Sequence, residues 1–284
     1  MYNQNILLKN GVNLQKSLEL FGDIEMYNDT VSDFLEGLSQ KLEILKNCKA
    51  IKDMQNYAIY VHSLKSDARY FGFEVLGDIA FEHELKSKDN NYMYIDTNFL
   101  QLENEIQTSI KILNQYLGLI PEENSNEMLP INNEINQPIE TLHHYEENVV
   151  IPKVNDKIIL VADDSDIVRN FVKKIFEQDY QVLTAEDGQE AVNLIYQYKD
   201  TNKISAILLD LNMPKVNGFS VLEYMKQNNL LNIMPVSIIS GDSTKESIEK
   251  AFEYTVVDMI GKPFNEQDIK RVVEKTIYYK EMNQ

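Results

Sequence analysis

The hydrophobic positions of the chain change their spacing about half-way along its length. In residues 13–118 apolar side chains recur every three or four positions, which places them on one face of an α-helix. One such run contains Val31, Phe34, Leu35, Leu38, Leu42 and Leu45. Proline is absent before Pro121. We therefore predict an all-α helical bundle of four or five amphipathic helices over residues 1–120.

Residues 156–284 carry a different pattern, in which short continuous apolar runs alternate with amphipathic stretches. Such runs predict strands that are buried on both faces. They lie at residues 158–162, 181–185, 206–210, 235–240 and 256–260, and helices are expected to start near Asp166, Gly188, Asn217, Ser243 and Asn265. Strict alternation predicts an α/β doubly wound (βα)5 domain with a parallel, flavodoxin-like sheet. Right-handed crossovers would bring all carboxyl ends of the strands to one edge.

The residues between these two regions differ from both in composition. Residues 121–155 are rich in Asn, Glu, Gln and Pro and poor in apolar side chains. Such a segment cannot bury enough surface to order itself, so we predict a flexible acidic linker. It also contains adjacent histidines, His143 and His144. Neighbouring side chains point apart in regular structure, so we do not expect a metal site there.

The overall composition excludes several functional classes. A net charge of −18 argues against binding to nucleic acid, which requires a cationic face. No apolar run approaches the length of a membrane span, and the N-terminus lacks the features of a signal peptide. A single cysteine, Cys48, is compatible with a reducing compartment. We therefore expect a cytoplasmic protein without membrane insertion.

One helical stretch of the N-terminal region carries candidate chemistry. His62, Lys65, Ser66 and Arg69 are spaced to share one face of a helix. Cations beside an imidazole disfavour its protonation, which leaves a nitrogen lone pair for nucleophilic attack. The same cations could neutralise a phosphoryl group on that nitrogen. Taken alone, the pattern is explained as well by a surface histidine on a solvated basic face, and His83 is a weaker competitor.

Polar side chains follow four of the five predicted strands at the common edge. Asp163 and Asp164 follow the first strand, Asp210 ends the third, and Ser240 and Lys262 follow the fourth and fifth. Aspartates often form turns at strand ends, but gathered carboxylates repel unless a cation lies among them. Hard oxygen ligands at such a place suit Mg²⁺. The set predicts formation of an acyl phosphate on Asp210, with the metal and Lys262 neutralising its charge.

The N-terminal region resembles histidine phosphotransfer (Hpt) domains. The stretch His62-Ser-Leu-Lys65-Ser66, followed by Gly72, is similar to the signature of that family. The resemblance covers about residues 10–118 and implies a helical bundle with His62 as phospho-acceptor. Ser66 stands where the family usually has glycine, which we expect to impair access to the histidine without abolishing it.

The C-terminal region closely resembles the receiver domain of two-component response regulators. The resemblance is carried by residues 160–166, 185–191, 210–214, 235–240 and 262–264. It implies that Asp210 is the phospho-acceptor and that Ser240 and Lys262 contact the phosphoryl group. The implied Mg²⁺ ligands are Asp163 (through water), Asp164, Asp210 and the main-chain carbonyl of Asn212. Met259 stands where the family usually has a switching tyrosine or phenylalanine.

These resemblances together imply phosphoryl transfer in a two-component phosphorelay. The chain has no ATP-binding signature of a kinase, so we expect a phosphotransfer intermediate and not an enzyme with its own substrate. Its expected partners are a histidine kinase, other receiver proteins or other Hpt proteins. With no DNA-binding domain, output is expected through protein contacts of the last two helices and last strand, including a receiver-mediated dimer.

Two other functions remain open from the sequence. In the first, Asp210 switches the docking of a partner protein, and the histidine-bearing domain is a docking module or phosphate sink. In the second, the chain is a phosphatase that forms an aspartyl phosphate. The second is disfavoured because such enzymes need an acid two residues after the nucleophile, where this chain has Asn212.

Overall fold

A computed structural model describes residues 2–121, 155–241 and 244–283. The predicted linker, residues 121–155, therefore falls almost entirely outside the described residues, and so does the pair His143 and His144. Ser243, where a helix was expected to start, and Asp242 also lie outside them.

Six helices make up the described N-terminal region. They are α1 (Gln4–Lys9), α2 (Leu14–Phe21), α3 (Ile24–Ile51), α4 (Met54–Tyr70), α5 (Glu74–Lys88) and α6 (Tyr92–Tyr116). The predicted helical region is confirmed, but the predicted number of four or five helices is wrong. Helix α1 was missed because its six residues are too few to show a helical period, although Ile6 and Leu7 are buried.

Helices α3 to α6 pack around an aromatic core. The ring of Phe34 on α3 stacks on Phe71 at the end of α4, with 4.4 Å between ring centroids. Tyr27 packs against the same Phe71 ring. Leu64, on the inner side of α4, is fully buried. This packing fixes the rotation of α4, so it also determines which side of α4 faces away from the bundle.

The C-terminal region is a five-stranded parallel sheet with strand order β2-β1-β3-β4-β5. The strands are β1 (Asn155–Ala162), β2 (Tyr180–Ala185), β3 (Ile204–Leu209), β4 (Val236–Ser240) and β5 (Met259–Gly261). The helices are α7 (Asp166–Phe176), α8 (Gly188–Tyr198), α9 (Gly218–Gln227), α10 (Lys245–Phe252) and α11 (Glu266–Met282). The predicted parallel α/β fold is confirmed.

The fifth strand differs from its predicted position at residues 256–260. Val256 is buried, but ladder pairing with β4 starts only at Met259, which lies opposite Ile238. Thr255, just before this segment, has a positive φ of 59°. An apolar run reports burial and not pairing, so it placed the strand too early. The change leaves Lys262 directly after the strand, as expected.

The two regions pack against each other through apolar side chains. Phe21 at the end of α2 contacts Phe171 on α7, with 5.7 Å between ring centroids. Both residues belong to one buried cluster that extends through the bundle and one face of the sheet. The sequence does not predict this contact, because contacts between surfaces of separate regions leave no periodic signal. In the described ranges no helix has the length and apolar character that a membrane crossing requires.

Candidate functional site

Three carboxylates meet at the carboxyl edge of the sheet. Oxygens of Asp163, Asp164 and Asp210 lie within 4.8 Å of one another. They meet because β1 and β3 are neighbours in register, with Ala162 opposite Leu209. Asp163 and Asp210 are completely buried, and Asp164 is partly exposed. The predicted convergence of the strand ends is thus present in the structure.

Lys262 enters this cluster from the end of β5. Its Nζ lies 2.6 Å from Asp163 Oδ2 and 2.5 Å from Asp210 Oδ2. Burial lowers the pKa of Lys262, but the charges of Asp163 and Asp210 outweigh this and raise it above its usual value. Burial raises the pKa of Asp163 to about 8, and it also raises that of Asp164. When all three carboxyl groups are ionised, they and the one ammonium leave two negative charges in excess, which one divalent cation would balance.

The other predicted residues of this edge lie beside the cluster. Ser240 ends β4 and is fully buried, and its carbonyl accepts a 2.8 Å hydrogen bond from the Lys262 amide. The Asn212 amide donates to Asp210 Oδ1 at 3.0 Å and so orients that carboxylate. Asn212 Nδ2 is buried without a hydrogen-bond partner. Met259 is half-buried against the apolar cluster on the other face of the sheet.

His62 lies on α4 and is held by a carboxylate of the next helix. Its Nδ1 is 2.6 Å from Glu84 Oε1, while its Nε2 is buried without a hydrogen-bond partner. Burial opposes ionisation of Glu84, but the hydrogen bond from His62 and the hydrogen bond and charge of Lys65 outweigh it and hold its pKa well below the usual range. An ionised Glu84 can only accept a hydrogen bond, so it favours the tautomer with the proton on Nδ1. The lone pair is then on Nε2.

The predicted cationic face around His62 is only partly correct. Lys65 Nζ lies 2.7 Å from Glu84 Oε2 and 3.3 Å from His62 Nδ1, so one of the two expected cations is present. Arg69 instead pairs with Asp78 at 3.6 Å and lies over the ring of Phe81. The expectation of a solvated face is wrong, since His62 is only 2% exposed and Lys65 5%.

His83, the competing histidine, is part of the bundle core. It is buried, and its Nδ1 lies 2.7 Å from the Tyr57 hydroxyl oxygen. Burial lowers the pKa of His83 to about 4. Its environment is therefore that of a neutral, hydrogen-bonded core side chain.

The outer side of α4 contacts the loops that follow three strands of the sheet. A Cβ built on Gly241, after β4, would lie 2.6 Å from His62 Nε2. Asp67 accepts a 2.6 Å hydrogen bond from Ser165, after β1, and Tyr70 accepts one of 3.1 Å from the backbone amide of Phe264, after β5. Helix α4 therefore spans the edge that carries the carboxylates, and it places His62 next to the residue that follows Ser240.

Comparison with known proteins identifies the C-terminal region. Residues 159–274 match the family model of the response regulator receiver domain. This region is a response regulator receiver domain. It is 28% identical over 121 residues to a chemotaxis protein CheY homolog of Campylobacter jejuni, covering 42% of this chain and 91% of that protein. It is also 30% identical to the solved receiver domain of Francisella response regulator 1452, covering 44% and 98% of the two chains with a TM-score of 0.38.

Other relatives are matched over a smaller share of their length. The probable transcriptional regulator ycf29 of Pyropia yezoensis is 27% identical over 121 residues, which is 43% of this chain and 53% of that protein. The chain therefore spans about half the length of that relative. The family model covers residues of the receiver domain only.

The acidic cluster of the receiver domain has the composition of a metal site. Its donors are carboxylate oxygens, which hard divalent cations prefer, and its excess negative charge is buried. The partly exposed Asp164 borders a cleft of about 190 Å³ between the receiver domain and the helices, which is a route for a small ion.

Several residues of the site were not predicted from the sequence. Glu84 lies within the segment that resembles Hpt domains, but no pattern in the sequence marks it as a partner of His62. The contacts of Asp67, Ser165 and Gly241 were not predicted, because they depend on how the helices lie against the receiver domain.

Proposed function

We propose that this chain is a phosphorelay protein in which Asp210 of the receiver domain and His62 of the helical region each carry a phosphoryl group. One observation carries the proposal. Nε2 of His62 has no hydrogen-bond partner in the described residues. It faces the loop after β4, beside the acidic cluster. Transfer of a phosphoryl group between two side chains requires that the nucleophile face the acceptor site.

The receiver domain supplies the carboxylate side of this chemistry. Asp163, Asp164, Asp210 and the carbonyl of Asn212 would hold Mg²⁺, whose charge would stabilise a phosphoryl group in transfer. Lys262 already contacts Asp210, and its ammonium would pair with the phosphoryl oxygens when an acyl phosphate forms there. Ser240, at the end of the neighbouring strand, would bind a phosphoryl oxygen.

The helical region supplies the histidine side, in an Hpt-like role. Glu84 keeps the Nδ1 proton of His62 in place, so Nε2 is the nucleophilic atom. Lys65 lies beside the same carboxylate, and burial lowers its pKa despite the attraction of Glu84. A phosphoryl group on Nε2 would attract the ammonium of Lys65 and offset the free-energy cost of burying that charge.

A separate histidine kinase, or another protein of the relay, would load the chain. The protein would act as an intermediate that passes phosphoryl groups on and would turn over no substrate of its own. Its output would be contact with other relay proteins, and the face of α10, β5 and α11 is the candidate for that contact and for dimer formation.

Phosphate labelling resolved by chemical stability tests the proposal. The full chain is incubated with Mg²⁺ and a labelled small phosphodonor, or with a labelled donor kinase, beside Asp210→Ala and His62→Gln. Acyl phosphate is lost in alkali and phosphohistidine in acid, so each site is read separately. We expect label at both sites, each lost with its own substitution. Label on Asp210 alone with every donor would contradict the role of His62.

A second candidate function is a binding switch without a relay. It is favoured by the complete burial of Asp210 at the edge to which α4 is attached, because a phosphoryl group there would press on the interface between the regions. In this case phosphorylation of Asp210 would separate the helical region from the receiver domain, and it would do so in the His62→Gln variant as well as in the unmodified chain. Small-angle scattering before and after addition of the phosphodonor distinguishes the two functions.

A further inference from the structure

Neither proposed acceptor is open to a second protein in this structure. Asp210 is 0% exposed and His62 is 2% exposed. Helix α4 is held against the receiver edge by the hydrogen bonds of Asp67 and Tyr70, and Gly241 of the receiver domain lies against His62. The helix that occupies the receiver's acidic edge therefore belongs to the same chain.

Gly241 lies against His62 with no room for a side chain of its own. An added Cβ would lie 2.6 Å from Nε2 and 2.9 Å from Cε1 of His62, and 3.1 Å from Ser66 Oγ. Real Cβ contacts are essentially never shorter than 3.0 Å. The imidazole cannot move aside without losing its bond to Glu84, and Ser66 is itself buried.

The need for glycine at this position comes from space and not from backbone conformation. Positive φ values occur at Gly11, Gly22, Gly72 and Gly118, and Gly241 is not among them. An alanine at position 241 would therefore be tolerated by the receiver backbone itself. It would meet only the side chains that α4 presents.

We propose that Gly241 is the specificity-determining residue that lets His62 reach Asp210 of its own chain, so that phosphoryl transfer within one molecule is the default reaction. The inference rests on the proposed function and deepens it, since it names the partner of each acceptor. A larger residue at position 241 would keep both acceptors but would hold them apart.

The transfer step balances without a further reactant. A lone pair of His62 Nε2 attacks the phosphorus of the acyl phosphate on Asp210 and forms a P–N bond. The P–O bond breaks, and its electrons return to the Asp210 carboxylate. The Nδ1 proton stays on the ring, held by Glu84. The reverse step restores the acyl phosphate by the same atoms.

The test compares Gly241→Ala with a matched control in the full chain. Gly261 is opposite Ser240 on the neighbouring strand, and a Cβ there meets nothing within 4 Å. Each protein is loaded on Asp210 with Mg²⁺ and labelled acetyl phosphate, and the arrival of acid-labile, alkali-stable label on His62 is followed with time. We expect Gly261→Ala to match the unmodified chain. Gly241→Ala should load Asp210 normally but transfer at least tenfold more slowly.

Two further arms show whether transfer stays within one molecule. The first-order rate should not change with protein concentration. A mixture of His62→Gln, which can load only Asp210, with Asp210→Ala, which can receive only on His62, should label His62 far more slowly than the intact chain.

The outcomes separate the inference from the proposed function. Three results would overturn the role of Gly241 while leaving the relay in place. They are an equal transfer rate in Gly241→Ala and the unmodified chain, a transfer rate proportional to protein concentration, and a failure of Gly241→Ala to load Asp210. Absence of label on His62 in every chain, including the unmodified one, would overturn both.

Discussion

At the scale of single residues, the site depends on which charge lies next to which ring nitrogen. The sequence pattern placed cations around His62, but the structure adds the carboxylate of Glu84 between His62 and Lys65. A cation alone would leave the tautomer of the ring undefined. The carboxylate assigns the proton to Nδ1 and leaves Nε2 for chemistry.

Replacing Glu84 by glutamine should slow phosphorylation of His62 about tenfold. A hydrogen bond to a charged acceptor is stronger than a neutral one by roughly 1–1.5 kcal/mol, which corresponds to about that factor in rate. The exposed Glu82, two positions earlier on α5, provides the matched control as Glu82→Gln. Nitrogen NMR of the imidazole should show a single tautomer in the control and a mixture in Glu84→Gln. An unchanged tautomer with a reduced rate would contradict the positioning role.

His83 should make the fold sensitive to acid. Burial lowers its pKa to about 4 from a usual value near 6.5, so the folded state binds the proton more weakly than the unfolded chain. Stability is therefore lost as the pH falls from about 6.5 to 4, by roughly 3 kcal/mol. We expect the free energy of unfolding to fall less over this range in His83→Gln. An imidazole NMR signal that titrates near 6.5 would show that the ring is not protected.

At the scale of elements, α4 differs from an ordinary amphipathic helix of a bundle. All eight residues from Val61 to Ala68 are buried, although five of them are polar. An amphipathic helix buries one stripe and leaves the other side in water. Here the loops of the receiver domain lie against the polar side, where Asp67 accepts a hydrogen bond from Ser165 while Nε2 of His62 has no partner.

Tyr70→Phe should weaken the attachment of α4 to the loop after β5. The tyrosine hydroxyl is the acceptor for the Phe264 amide, and its removal leaves a buried N–H unsatisfied at a cost of about 1–3 kcal/mol. Hydrogen exchange at the Phe264 amide should become faster by one to two orders of magnitude. The exposed Tyr278, changed to phenylalanine, should leave that exchange unaltered. Equal exchange in all three proteins would show that the bond contributes nothing.

The strand ends should respond to divalent cations in a pH-dependent way. Because the folded pKa of Asp163 is raised to about 8, ionisation of this group favours the unfolded chain as the pH rises from about 4 to 8. Bound Mg²⁺ reverses this cost and stabilises by about 2.7 kcal/mol at a hundred times its dissociation constant. Mg²⁺ should therefore raise the unfolding temperature more at pH 8 than at pH 5. Asp164→Asn should reduce the shift, and a shift that persists there would place the ion elsewhere.

At the scale of the whole molecule, the arrangement of the two regions decides which chemistry is accessible. Their contact combines the Phe21–Phe171 packing with polar pairs at its rim, where Asp33 accepts from Asn170 at 2.8 Å and Asp29 pairs with Lys174. Exposed pairs of this kind contribute little each, so the rim opposes opening of the contact only weakly. Opening would expose Asp210 and His62 to other proteins.

Charge reversal at the rim should shift this equilibrium. Asp29→Lys places a second cation beside Lys174, so we expect a larger radius of gyration by small-angle scattering and faster labelling of Asp210 by a protein donor. The double variant with Lys174→Asp restores an attractive pair and should restore both properties. Labelling by acetyl phosphate should change little, since a small donor can enter through the cleft beside Asp164. Faster labelling in both variants alike would assign the effect to something other than this pair.

Much of the molecule could be predicted from the sequence, because it depends on local patterns. The alternation of apolar runs and helices predicted the parallel sheet, and the polar residues after the strands predicted the meeting of Asp163, Asp164, Asp210 and Lys262. Parallel strands bring their carboxyl ends to one edge whatever the loops do. The helical character of the first region followed from periodicity in the same way.

Contacts between elements that are far apart in sequence could not be predicted. Glu84 reaches His62 from another helix, and Gly241 reaches it from another region of the chain. Such pairs depend on how helices rotate and how surfaces fit, and a single sequence carries no period for either. The sequence by itself determined the two architectures and the acidic edge, since each follows from spacing along the chain. Only the tertiary structure decided that the polar side of α4 covers that edge, because this depends on packing between surfaces and not on neighbours in sequence.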